Sequence, residues 1–233
     1  EKAAKEIITR ISNELIEKNI AINLNEMYIG TFHSICLRII KENIEYSQLT
    51  KNFRTLDDFD QNYLVFQNIR RFRNIFDFDL AIEEQGAWRQ AKEICRCVNN
   101  LSEEMVSAEE LMADKNPAIS AMGRILEQYQ LMLEENNLLD FSNIQTEAFR
   151  LINDNEEVLE KLRNKIKYLM IDEYQDTNYI QEQLIFLLAS EDKNICVVGD
   201  DDQGLYRFRG ATIRNILQFP QNFPEGFCKV IRR

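Results

Sequence analysis

The sequence predicts an α/β fold: a small parallel sheet drawn from both ends of the chain, with an all-helical block inserted between them. Two observations carry this. Two short, continuously apolar runs, Tyr168–Ile171 and Ile195–Val198, each end in acid and enclose a helical stretch from about Tyr179 to Leu188. Strand, helix, strand at that length is a βαβ unit, and continuous apolar strands belong to parallel sheets covered on both faces. From roughly Glu45 to Asp140 the hydrophobic periodicity is helical instead, with no obvious strand. The expected division is therefore residues 1–44 with 140–233 as one discontinuous domain, and 45–139 as a helical insertion.

The elements follow in order. Ala4, Ile7, Ile8, Ile11 and Leu15 make one stripe of an opening helix over residues 1–18. A short strand is expected over Met27–Gly30, then a second amphipathic helix from Phe32 to about Ile44. Asp57 or Asp58 suits a helix N-cap, Ser107 with Glu110 forms a capping-box pattern, and Pro117 stands where a helix can begin. Asp140 caps a helix holding Phe141, Ile144, Ala148 and Leu151, and a further helix runs to about Arg163. A third strand is expected at Phe227–Ile231. Phe59, Tyr63, Phe66, Phe72, Phe76 and Phe78, spaced helically, read as core of the insertion.

Composition sets limits. Of 233 residues, 45% are hydrophobic, 29% charged and 10% aromatic, which excludes a collagen, a disordered tail and a disulfide-stapled miniprotein. No apolar run is long enough for a bilayer span. Cys36, Cys95, Cys97, Cys196 and Cys228 lack framework spacing and read as free thiols of a reducing, cytoplasmic compartment. The Cys95-x-Cys97 pair has no second pair to complete a zinc site. The opening Glu1 falls in mid-helix, as in a piece of a longer protein, and no positively charged, apolar leader opens the residues given, so nothing suggests secretion.

The net charge of −11 is unevenly spread. Residues 1–44 are neutral, 45–203 carry −16, and 204–233 carry +5. A uniformly basic nucleic-acid coat is excluded, but a local polyanion groove made from the two ends is not.

Chemistry concentrates at strand ends, where open parallel sheets bind ligands. Asp172 and Glu173 follow the first strand, and Gly199-Asp200 the second. One carboxylate can hold a hydrated Mg²⁺ while its neighbour orients and deprotonates a water, the arrangement of phosphate-cleaving enzymes. The bland alternative is that the acids only cap the next helix.

The longer strings narrow this. The opening EKAAKEIITRI (Glu1–Ile11), GTFHS (Gly30–Ser34), LLDFSNI (Leu138–Ile144), LMIDEYQDTNYIQ (Leu169–Gln181) and VVGDDDQGLYRFRGA (Val197–Ala211) occur in this order. Together they closely resemble the UvrD/Rep/PcrA family of superfamily 1 DNA helicases, over essentially the whole chain. The resemblance implies a partial RecA-like ATPase sheet and an ATP-dependent motor moving 3′ to 5′ on single-stranded DNA or a duplex junction, in DNA repair or replication, with ATP and Mg²⁺ as cofactors. It makes Asp172 the Mg²⁺ ligand, Glu173 the general base and Gln203 the γ-phosphate contact, whose amide bonds phosphate or water without adding charge. Tyr206, Phe208 and Arg209 match the segment that meets single-stranded bases, and rings beside a guanidinium suit that task. Thr31, Phe32, His33 and Ser34 match a motif beside the DNA path, where hydroxyls and a backbone N–H can hold a phosphate. His33, the single histidine, reads equally well as structural.

The chain departs from the family pattern at Gly204, often Ser, at Phe208, often Trp, and at Arg207, commonly small. No G-x-x-x-x-G-K-[ST] loop occurs, Arg233 does not match the family's γ-phosphate arginine, and the second RecA-like domain is missing. Residues 1–233 alone are therefore expected to hydrolyse little ATP. The rival readings are a DNA- or protein-binding module without turnover and a metal-dependent nuclease, though a nuclease needs neither Gln203 nor the aromatic-arginine string.

Overall fold

Six helix starts in this chain, those of the helices at Phe32, Asp58, Ala108, Pro117, Phe141 and Tyr179, are capped by side-chain oxygens. In a computed structural model describing residues 2–21, 23–83, 85–189, 194–200 and 219, Asp57 accepts from Asp60 N at the start of α3 (Asp58–Gln67), following α1 (Lys2–Glu17) and α2 (Phe32–Glu42). The chain continues through α4 (Ile69–Arg73), α5 (Phe78–Ala81) and α6 (Ala87–Glu103). Ser107 and Glu110 close a reciprocal capping box on α7 (Ala108–Met112), and Pro117 opens α8 (Pro117–Glu135). Asp140 caps α9 (Phe141–Asn153), and α10 spans Glu156–Lys165. Among the described residues no helix is long and apolar enough to cross a membrane.

Two compact units result, Glu1–Glu160 and Lys161–Arg233. The core of the first joins Val65 and Phe72 to Ile94 and Val98 of α6 and to Ile125, Leu126 and Tyr129 of α8. Within this unit α2 packs on α9, burying Cys36, Ile39 and Ile40 on one and Ile144, Ala148 and Leu151 on the other. Burial pushes the Cys36 and Cys95 thiols up to about 12, which keeps both protonated.

Three expectations are corrected here. Met27–Gly30 is not a strand: Met27 N–H bonds Leu24 O, and the Met27 carbonyl accepts from Arg38 Nη1 at 2.8 Å, so a turn and a side chain take its backbone groups. The insertion does hold strand, a two-residue parallel pair of β1 (Arg54–Thr55) with β2 (Leu138–Leu139). It forms because Asn137, left-handed at φ 52°, turns the chain into β2 and its side chain bonds Thr50 at both ends. The insertion's aromatics divide: Phe72 and Phe78 are core, but Phe59 is 64% and Phe76 75% exposed, with Tyr63 and Phe66 also exposed. α3 buries Gln61 and Val65 instead, so its Phe59–Tyr63–Phe66 stripe lies outside, ring against ring and against Trp88 of α6.

Gly123 sets the approach of α7 to α8. A Cβ there would stand 2.7 Å from Met112 N and 2.8 Å from Ala108 O, backbone atoms that yield only if the helix moves. In an open helix Gly→Ala gains about 1 kcal/mol. Here Gly123→Ala is expected to lose roughly 1–3 kcal/mol through overpacking. Urea unfolding checks this; an unchanged or raised midpoint refutes it.

The second unit holds β3 (Leu169–Ile171) and β4 (Ile195–Val197), parallel and joined through α11 (Tyr179–Leu188). The register sets Leu169 against Ile195 and Ile171 against Val197. Among the described residues the sheet is not covered on both faces as expected, since Met170 is 81% exposed and Tyr168 76%. The expected strand at Phe227–Ile231 lies outside the described residues.

Candidate functional site

The acid pair sits on a turn that several buried groups hold. Past the strand ends the ladder continues: Val198 N–H bonds Ile171 O at 2.8 Å and Tyr174 N–H bonds Val198 O at 2.9 Å. Between those two bonds lie Asp172 and Glu173, both exposed, with Glu173 in the left-handed region at φ 52°, ψ 43°. A non-glycine residue adopts this only where its surroundings impose it. Tyr174, the next residue, is fully buried and anchors the turn. Its hydroxyl donates to Glu182 at 2.9 Å and its ring meets Phe219 edge-on at 5.2 Å. Burial, reinforced by Glu182, raises the Tyr174 pKa, so the hydroxyl stays a donor.

The bland reading of the acids does not describe this turn. α11 is capped by Asn178, whose side chain accepts from Gln181 N while Gln181 returns a bond to Asn178 N. Neither acid caps it. Asp172 Oδ1 accepts from Glu173 N–H at 3.1 Å, and Glu173 Oε2 accepts from Gln175 Nε2 at 2.6 Å. Gln175 is 2% exposed and its carbonyl end accepts from Asp200 N–H at 3.0 Å, so one amide spans the ends of both strands. Sequence reasoning gave no role to Gln175. Its signal was an uncharged polar residue two places beyond the acid.

In the first unit, Thr31 caps α2: its hydroxyl accepts from Ser34 N–H at 3.3 Å, and Ser34 Oγ donates back to Thr31 O at 2.8 Å. Both hydroxyls thus shape the helix start, with Thr31 and Ser34 exposed and Phe32 half-buried. His33 stacks on Phe141 with ring centroids 3.2 Å apart, and its Nε2 lies 2.9 Å from Gln145 Nε2. Burial pushes its pKa down to about 4, against a hydrogen bond with the Phe141 backbone that raises it. The ring is therefore neutral at pH 7 and takes the Gln145 amide at its bare nitrogen. His33 ties α2 to α9.

The family model of the UvrD/REP helicase N-terminal domain matches residues 1–224. The chain belongs to this family. Among curated relatives, the ATP-dependent DNA helicase PcrA of Staphylococcus epidermidis (strain ATCC 35984) is 33% identical over 226 residues, covering 97% of this chain. PcrA of Staphylococcus aureus (strain Mu50) is 32% identical over the same length. The chain spans 29% of the length of these relatives.

For a UvrD/REP helicase N-terminal domain, the described residues bring together Asp172, Glu173, Gln175 and Asp200 in the second unit. Thr31, Phe32, His33 and Ser34 stand together at the start of α2 in the first. Gln203, Tyr206, Phe208 and Arg209 lie outside the described residues.

Proposed function

We propose that this chain is the nucleotide-hydrolysing and DNA-contacting part of an ATP-dependent DNA helicase that moves 3′ to 5′ on single-stranded DNA, serving repair or replication in the cytoplasm. Residues 1–44 and 140–233 form its discontinuous RecA-like domain and 45–139 its helical insertion. The observation that carries the reading is the exposed acid pair at the end of β3, left without capping duty because Asn178 caps α11. The naming of the relatives as ATP-dependent DNA helicases supports it.

Glu173 takes the proton of the attacking water, its carboxylate presented by the left-handed turn. Gln203 contacts the γ-phosphate. Mg²⁺ fits the donors present: Asp172 and Glu173 offer exposed carboxylate oxygens at the end of β3, and this ion takes few protein oxygens beside phosphate. Asp172 would hold it, and it would neutralise charge on the phosphates. The N-terminus of α2, with Thr31, Phe32, His33 and Ser34, faces a DNA phosphate, and Tyr206, Phe208 and Arg209 stack on bases. With no G-x-x-x-x-G-K-[ST] loop among the 233 residues, hydrolysis belongs to the full-length protein and not to these residues alone.

The test is DNA binding by full-length Tyr206→Ala and Phe208→Ala. A base stacked on a ring is worth about 1–3 kcal/mol, so single-strand affinity is expected to fall roughly ten- to a hundredfold in fluorescence anisotropy, with DNA-free hydrolysis near its basal rate. Variants that bind and unwind like wild type would refute the loop's role. DNA binding without any DNA-stimulated ATPase in the wild type would favour a module without turnover.

A further inference from the structure

We infer that Gln175 is the positioning residue for the Glu173 carboxylate, and that the same amide ties this carboxylate to the chain leaving β4. The inference rests on the reading of Glu173 as general base.

Glu173 is exposed, on a long side chain that solvent alone would leave among many rotamers. A single 2.6 Å bond from Gln175 Nε2 selects one of its oxygens. The donor is well chosen for this. Gln175 is almost fully buried, and its carbonyl oxygen receives Asp200 N–H at 3.0 Å. The two contacts fix the amide's orientation between them: a flipped amide would set NH₂ against N–H at Asp200 and oxygen against carboxylate at Glu173. The bond to an ionised acceptor is also of the strong, short kind.

Only a neutral side chain with a donor at one end and an acceptor at the other meets both neighbours. An acid would face Glu173 with like charge, and a lysine would have nothing to offer Asp200 N–H. Asp200 lies three residues before Gln203, so the amide joins the turn bearing the base to the segment bearing the proposed γ-phosphate contact. The rest of the turn is held by other pairs: the Tyr174 hydroxyl donates to Glu182, and Asn178 and Gln181 close a capping box on each other.

The test uses the full-length protein and three variants: Gln175→Met, which keeps the volume and removes both polar ends, Glu173→Gln, and the two combined. Gln175→Met is expected to lower kcat of the DNA-stimulated ATPase roughly 10- to 100-fold, with KM for ATP within about twofold, as displaced supporting groups do. In the Glu173→Gln background it should remove nothing further, because the group it positions is already gone. A merely structural role would lower both backgrounds alike. A kcat for Gln175→Met within about twofold of wild type overturns the inference, as do losses that multiply in the double variant. Should Gln175→Met fail to fold, Gln175→Ala is measured on the same scheme and judged by the same two outcomes. If Glu173→Gln itself keeps wild-type kcat, the base assignment has failed and the inference falls with it. A dead Glu173→Gln beside a fully active Gln175→Met overturns the positioning role alone.

Discussion

Glu173→Gln is expected to lower the DNA-stimulated ATPase rate of the full-length protein by about 10²–10⁴-fold, the usual contribution of a positioned general base. The substitution keeps the shape and removes only the charge and basicity, so the left-handed turn held by Tyr174 should persist. ATP and single-stranded DNA should still bind near wild-type strength, because phosphate and base contacts are made by other residues. The loss therefore falls on kcat, with KM for ATP little changed, which is the signature of an interaction made in the transition state. Asp172→Ala should behave differently, weakening nucleotide binding in a Mg²⁺-dependent way, since a metal ligand and not the base is lost. Equal kcat for Glu173→Gln and wild type would remove the acid pair from the chemistry. The nuclease alternative makes a separate demand: DNA cleavage by the wild type with Mg²⁺ and no nucleotide.

What could be read from sequence alone was chiefly what depends on near neighbours. Asp57, Ser107 with Glu110, Pro117 and Asp140 each began a helix as expected, since a cap bonds an N–H two or three residues on. The helix expected from about Tyr179 to Leu188 is found over Tyr179–Leu188. The failures depend on distant partners. Met27–Gly30 has strand-like residues, but Arg38 claims its carbonyl from eleven positions away. The aromatic stripe of α3 has helical spacing and lies outside, because periodicity identifies a face without saying which face is inward. Gln175 escaped for the same reason: its worth comes from Asp200, 25 residues on.

The largest stability loss is expected at Asp140, 1% exposed. Its carboxylate accepts from Asn143 N–H at 2.7 Å, Asn143 Nδ2 at 2.9 Å, Gln61 Nε2 at 3.1 Å and the Tyr129 hydroxyl. Gln61 bonds Asn99 as well, so α3, α6, α8 and the start of α9 meet at one buried acid. The charge is matched by donors, and Tyr129 remains one of them because burial and then Asp140 raise its pKa well above the usual value. Asp140→Ala would remove the cap of α9, worth about 1 kcal/mol, and leave the buried Tyr129 hydroxyl without its acceptor, while Gln61 keeps its bond to Asn99. The expected cost is about 2–4 kcal/mol, the lost cap together with a buried hydroxyl left unpaired at roughly 1–3 kcal/mol. Tyr129→Phe takes away one donor and leaves three, so roughly 1.5–3 kcal/mol is expected. Because all these residues share one network, the double variant should lose less than the two single losses combined. Urea unfolding of the single and double variants measures this. An Asp140→Ala protein within about 1 kcal/mol of wild type would mean that water reaches the site and replaces the acid, and the network would then be a consequence of the packing of α3, α6, α8 and α9, with no part in holding them together.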